Sequence, residues 1–201
     1  MRLAALKRFM EVALTTSRSA ITVPNMLDEE SATNAETQVA SFFARYDPPI
    51  AKLGKALRAK LRARLPGLFE IVYVYESQSA LVISYSPTEN GYEGLCSLAL
   101  YPQMVKLHFA QGPLLSKADP NKLLQGSGKG VRHVVLSSAA DLDRAEIEAL
   151  MAAAVKIAKL RLDANSKGSV ILKAESQKKR ALRAKKTARP APARRTSKAR
   201  R

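Results

Sequence analysis

Apolar positions recur at helical spacing early in the chain and at strand spacing through its middle. Val39, Phe42, Phe43 and Tyr46 fall near one face of a segment beginning at Ala35, which predicts a helix. Asp47-Pro48-Pro49 stops it, because the residue before a proline avoids the α region. Proline is tolerated in a first helical turn, so a second helix begins there. Its apolar stripe is Ile50, Leu53, Leu57, Leu61 and Leu65, with Lys52, Lys55, Arg58, Lys60, Arg62 and Arg64 on the other faces, and Pro66-Gly67 ends it. The texture then becomes β-branched and aromatic in Phe69–Tyr75, Ala80–Tyr85, Leu95–Tyr101, Val105–Phe109 and Val131–Leu136. Asn90-Gly91 and Pro102-Gln103-Met104 are turn signals between these runs. A last helix is predicted from about Asp143 to Leu162, with Ile147, Leu150, Met151, Ala154 and Ile157 along its stripe. Hairpin-spaced strands favour antiparallel pairing. The expected fold class is α+β: a mostly antiparallel sheet with two N-terminal helices and a C-terminal helix on one side of it.

The ends differ from this body. Residues 1–34 are expected to form a poorly ordered extension and linker, residues 35–165 the α+β domain, and residues 166–201 a basic disordered tail. Thr15–Asn34 is polar and carries Pro24 and the acidic run Asp28–Glu30. Leu3, Leu6, Met10, Ala13 and Leu14 mark one helical face, but Lys7, Arg8 and Glu11 interrupt the apolar stretch a secretory signal needs. An organellar presequence, an amphipathic helix or an upstream start remain alternatives for this segment. Val170–Leu172 is a short apolar run able to dock on the body. No apolar run approaches about 20 residues, so no transmembrane span is expected, and the cytoplasm is the expected location.

Charge changes the picture more than length does. The net charge is +17 over 201 residues, and it is unevenly placed. Lys173–Arg201 holds 13 basic residues and one acid, Glu175, while the other 172 residues hold 21 basic and 16 acidic side chains. Such asymmetry points to a polyanionic partner, nucleic acid before anionic membrane. The tail's clusters comprise Lys178, Lys179, Arg180, Arg183, Lys185, Lys186, Arg189, Arg194, Arg195, Lys198, Arg200 and Arg201, spaced by Ala, Pro, Ser and Thr. It has no aromatic residue, so it is expected to bind phosphates without sequence preference and without stacking. A merely solubilising tail is the alternative.

The chemistry of the body is sparser. Cys96 is the only cysteine, which excludes an internal disulfide and a cysteine-based zinc site, and its apolar surroundings predict a buried thiol. Gly126, Ser127, Gly128, Lys129, Arg132 and His133 are the candidate site for a small anionic ligand: the glycines would expose backbone N–H groups and the basic side chains would add charge. Lys129 precedes Gly130, so the segment is not a Walker A loop. A tight turn that needs glycine at positive φ is the plainer reading. Asp141, Asp143, Glu146 and Glu148 admit a metal, but Asp143 with Glu146 matches a capping box, which is the preferred reading. His108 and His133 lie on separate predicted strands and are able to meet across the sheet. Glu70 and Glu76 flank a strand without a catalytic pattern. No catalytic residue, cofactor or metal is expected, and oligomeric state is left open.

Leu123–Asp143, LLQGSGKGVRHVVLSSAADLD, with Leu65-Pro66, Glu70, Ser97–Phe109 and Gly112, resembles the signature of the YdhG-like domains, a mostly bacterial family of unknown function. The likeness spans about Ala35–Leu162. It implies two N-terminal helices, a mostly antiparallel sheet and a C-terminal helix. The family's Gly-Met-Pro element after the first strand is replaced here by Val72–Ser77. Some members are linked to iron delivery by analogy with frataxins, so the resemblance also implies an iron-handling alternative to a binding module.

Overall fold

The computed structural model describes residues 26–174, apart from Gly128, Ala164 and Lys167. The chain falls into two units, Met1–Ser31 and Ala32–Arg201; what is described of the first is helical, and everything below concerns the second. Helix α1 (Met26–Phe43) is followed by α2 (Pro48–Arg64), with Asp47 at its N-cap and proline in its first turn. Four strands then run as a meander: β1 (Phe69–Tyr75), β2 (Ala80–Ser86), β3 (Cys96–Tyr101) and β4 (Met104–Phe109). A 3₁₀ segment (Gly112–Ala118) leads to β5 (Arg132–Leu136), and another (Ala139–Asp143) to α3 (Ala145–Ile157) and β6 (Val170–Ala174).

The six strands are ordered β5-β4-β3-β2-β1-β6. Every pairing is antiparallel except β1 with β6, so the α+β expectation holds for a mixed, mostly antiparallel sheet. The Pro102-Gln103 turn is as short as its sequence implies, since Tyr101 and Met104 are paired.

Alternation along the strands gives the sheet two unlike faces. Val72, Leu81, Ile83, Leu98, Leu100, Val105, Leu107, Phe109, Val134 and Leu136 lie on one face and form the core with Val39 and Phe43 of α1, Leu57 and Leu61 of α2, and Ile147 and Leu150 of α3. Gly54 lets α2 approach closely: a Cβ there would lie 2.5 Å from Leu100 and 2.9 Å from Phe43. The second face contributes nothing to this core, and no described helix lies over it.

Several expectations need correction. The domain does not end at 165, because β6 pairs with β1 from Glu70↔Val170 to Val74↔Ala174, which places Lys173 in the sheet and outside the tail. The linker reading of residues up to Asn34 gives way to helix from Met26, its polar part supported by Gln38 donating to the Asn34 side chain at 2.8 Å. Helix α3 stops at Ile157, not Leu162, and Lys159 takes a left-handed φ of 53° just beyond it. No side chain caps α3; the capping box is Ser138 with Asp141, one turn earlier than Asp143 and Glu146. Residues 1–25 and the twelve tail cations from Lys178 to Arg201 lie outside the described residues.

Candidate functional site

The second face of the sheet concentrates the unusual side chains. Register and alternation place Tyr73 and Tyr75 of β1, Tyr101 of β3, Lys106 and His108 of β4, His133 of β5 and Lys173 of β6 on it. Between them the floor is small: Ala80, Val82, Ser84, Ser97 and Ala99. Tyr73 and Tyr75 stack with ring centroids 6.2 Å apart, and the Lys106 ammonium lies 5.4 Å from the centroid of Tyr101. His108 and His133 are register partners whose rings stack at 5.2 Å. The histidines thus do meet across the sheet. The Nε2 of His108 is buried without a hydrogen-bond partner. Burial, then His133 and Lys106, lower the His108 pKa to about 4, and burial with Lys106 lowers that of His133. Burial and the nearby Lys106 thus disfavour the charged form of both imidazoles, which runs against the expectation that His133 adds charge to an anion site.

The glycine turn adjoins this pair. Gln125 and His133 close it with two backbone hydrogen bonds of 2.8 and 3.0 Å, and Gly126 takes a φ of +108°. Gly126, Ser127 and Lys129 are exposed, and Gly128 lies outside the described residues. Arg132 and His133, being consecutive on β5, project to opposite faces, so these two side chains do not converge on one point. Arg132 donates to the Val131 carbonyl at 3.0 Å. The turn is anchored from below: the Gly112 N–H donates to the Gly130 carbonyl at 2.9 Å, and a Cβ on Gly112 would lie 2.4 Å from the Arg132 backbone nitrogen.

The four acids near α3 are already engaged. Asp141 accepts from the Ser137 and Ser138 N–H groups at 2.7 and 2.9 Å, which holds its carboxyl below the usual range despite burial. Asp143 pairs with Lys60 and Arg64, Glu148 with Arg64, and Glu146 with Arg144 at 3.7 Å. Among the described residues no group of three or more His, Cys, Asp or Glu is placed to hold a metal ion.

The same pairing neutralises much of the basic helix α2. Arg58 donates to Glu70 through Nε at 3.0 Å and to Glu36 through Nη1 at 2.7 Å. Arg62 donates to Glu36 at 2.6 Å. Glu70 is 3% exposed and lies on the core face opposite Tyr85, its β2 partner, which is fully buried. Burial opposes the Arg58 charge, and its bonds to Glu36 and Glu70 raise its pKa all the same. Sequence reasoning missed this cluster. A glutamate inside a run of core strand residues is the available signal, but nothing in the pattern singles out Arg58 among the cations of its helix.

A cavity of about 400 Å3 opens at the end of the sheet where the β1–β2 turn, Pro102 and the α1–α2 junction meet, lined by Arg45, Tyr46, Asp47 and Tyr75. The Tyr46 hydroxyl donates to the Ser79 carbonyl at 3.0 Å at this end. Cys96 is buried, and burial pushes its thiol up to about 12. No described helix is long and apolar enough to cross a membrane. No family model, no curated protein and no solved structure matches the chain.

Proposed function

We propose that the protein is a non-enzymatic binding module of the YdhG-like kind that attaches to nucleic acid through its basic C-terminal segment. Charge segregation carries the reading. Residues 175–201 hold 12 basic side chains and one acid, whereas residues 26–174 hold 18 basic and 15 acidic side chains. Within the body, Arg58, Lys60, Arg62, Arg64 and Arg144 are paired with carboxylates. Most of the surplus, +11 of the +17, therefore belongs to the segment that follows β6, an edge strand of the sheet. That segment has a single leucine, Leu182, and no aromatic side chain, so phosphate neutralisation and counterion release supply its affinity. With about six to ten phosphate contacts, affinity falls roughly three to five decades between 50 and 200 mM salt.

The test is binding of the full chain to duplex DNA and RNA over a salt series. The comparison is a full-length variant with Lys178, Lys179, Arg180, Lys185 and Lys186 changed to Gln. A smaller salt slope and weaker binding to every sequence are expected. Equal affinity and equal slope in both chains refute the role of the segment.

A further inference from the structure

We propose that the second face of the sheet around Tyr75 and Tyr101 is a stacking platform for single-stranded nucleic acid, with bases on Tyr75 and Tyr101 and the strand's phosphates toward Lys106 and Lys173. This deepens the nucleic-acid reading and rests on it, but it concerns the folded body, where that reading concerns the segment after β6.

Three observations carry it. First, the face bears no carboxylate among its strand residues, although the described body holds 15 acids. Glu76 lies in the β1–β2 turn, and Glu89 and Glu93 in the β2–β3 loop, which covers Ile71 and leaves a Cβ on Gly91 only 2.9 Å from the Tyr73 hydroxyl. Secondly, its two ammonium groups rest on neutral partners. Lys106 lies over the Tyr101 ring, and Lys173 donates to the Asn90 carbonyl at 2.6 Å. Arg58, Lys60, Arg62 and Arg64 of α2 face carboxylates instead. The face is thus apolar and aromatic, with positive charge that no carboxylate pairs among the described residues, which suits a polyanion that also carries flat apolar rings.

Thirdly, the tyrosines stand apart over a low floor. Tyr75 is paired with Ala80, and one step along the β2–β3 register Ala80 lies opposite Tyr101. Two strand spacings separate the two tyrosines, about 9–10 Å at the backbone, with only a methyl group between them. In the neighbouring row Tyr73 is followed by Val82, Ala99 and Lys106. Flat rings fit such gaps, and base–aromatic stacking tolerates any sequence because every base has a π-face. The basic segment has no ring of its own, and the sheet supplies what it lacks.

The protein has six tyrosines and no tryptophan, so a quenching of tyrosine emission that Tyr75→Leu and Tyr101→Leu diminish reports on stacking. The experiment titrates the full chain with single-stranded oligothymidylate and with duplex DNA, following tyrosine emission and affinity. Quenching by the single strand and not by the duplex is expected. Tyr75→Leu and Tyr101→Leu should each weaken single-strand binding roughly tenfold without changing the salt slope, while Tyr75→Phe and Tyr101→Phe bind as the parent. Urea midpoints of the variants guard against misfolding. The variant with five tail cations changed to Gln separates the two ideas. If it still shows quenching and single-strand preference, the platform stands even where the tail's role fails. Binding without quenching, unaffected by the leucine variants, overturns the platform and leaves the tail intact. If the Tyr75→Leu and Tyr101→Leu variants lose no acrylamide-quenchable emission relative to the free parent chain, the platform is also overturned, since that part of the face is then covered.

Discussion

Replacing Arg58 by methionine removes the cation that holds Glu70 while keeping most of the apolar stem and its volume. Glu70 is 3% exposed, and its other cationic neighbour, Arg62, stands 3.8 Å away with its side chain 45% exposed. The substitution therefore strands a carboxylate in the core. Breaking a buried pair from one side costs about 3–5 kcal/mol, because the remaining charge keeps its desolvation penalty and loses its partner. For a domain of this size each kcal/mol moves Tm by about 2–4 °C, so a fall of roughly 6–20 °C is expected. Glu70→Gln should cost less, since Arg58 retains Glu36. The double change Arg58→Met with Glu70→Leu should recover most of the loss, because well-packed apolar groups replace a buried pair at little cost. Arg62→Ala, at a half-exposed site, should cost no more than about 1 kcal/mol. Urea unfolding followed by far-UV circular dichroism measures all four. A loss below about 1 kcal/mol in Arg58→Met, or a double variant no better than the single, would refute the assignment of Arg58 and Glu70 as a buried, mutually dependent pair.

Stability should decline as pH falls from about 6.5 toward 4, because the unfolded chain protonates His108 at its ordinary pKa while the folded chain resists until about 4. Urea midpoints measured across that window should fall in the parent and much less in His108→Gln. A second decline belongs below about pH 4: burial would raise the Glu36 carboxyl, but Arg58 and Arg62 hold it low, so its contribution is present above the unfolded value and lost as pH drops through the folded one. Glu36→Gln should flatten that limb in the same titration. Gly112→Ala forces a Cβ against the backbone of Arg132 at 2.4 Å, and a loss of about 1–3 kcal/mol is expected, with faster amide exchange in β5 than in β1. Cys96 should react with a thiol reagent only after unfolding, and rapid labelling of the native chain would contradict its burial.

Local sequence determined most of the elements. Phe69–Tyr75 is a strand from end to end, as its β-branched and aromatic run requires, and Asp47-Pro48-Pro49 divides two helices because proline permits a start but not a continuation. The burial of Cys96 was likewise legible in its apolar surroundings. Tertiary structure decided what is distant in sequence. Val170–Ala174 becomes a strand only by pairing with β1 about a hundred residues earlier, and its own five residues are too few to announce that partner. The acids near α3 were legible as a helix start, yet Asp143 and Glu148 serve Arg64 of another helix. Arg58 reads as one surface cation among several until folding sets it between Glu36 and Glu70. The aromatic face is the clearest case. Alternation places each tyrosine on one side of its own strand, but register alone aligns β1, β3, β4 and β6 so that rings and lysines share a surface whose described strand residues include no carboxylate. Periodicity is a property of neighbours along the chain, whereas charge compensation depends on which neighbours meet across it.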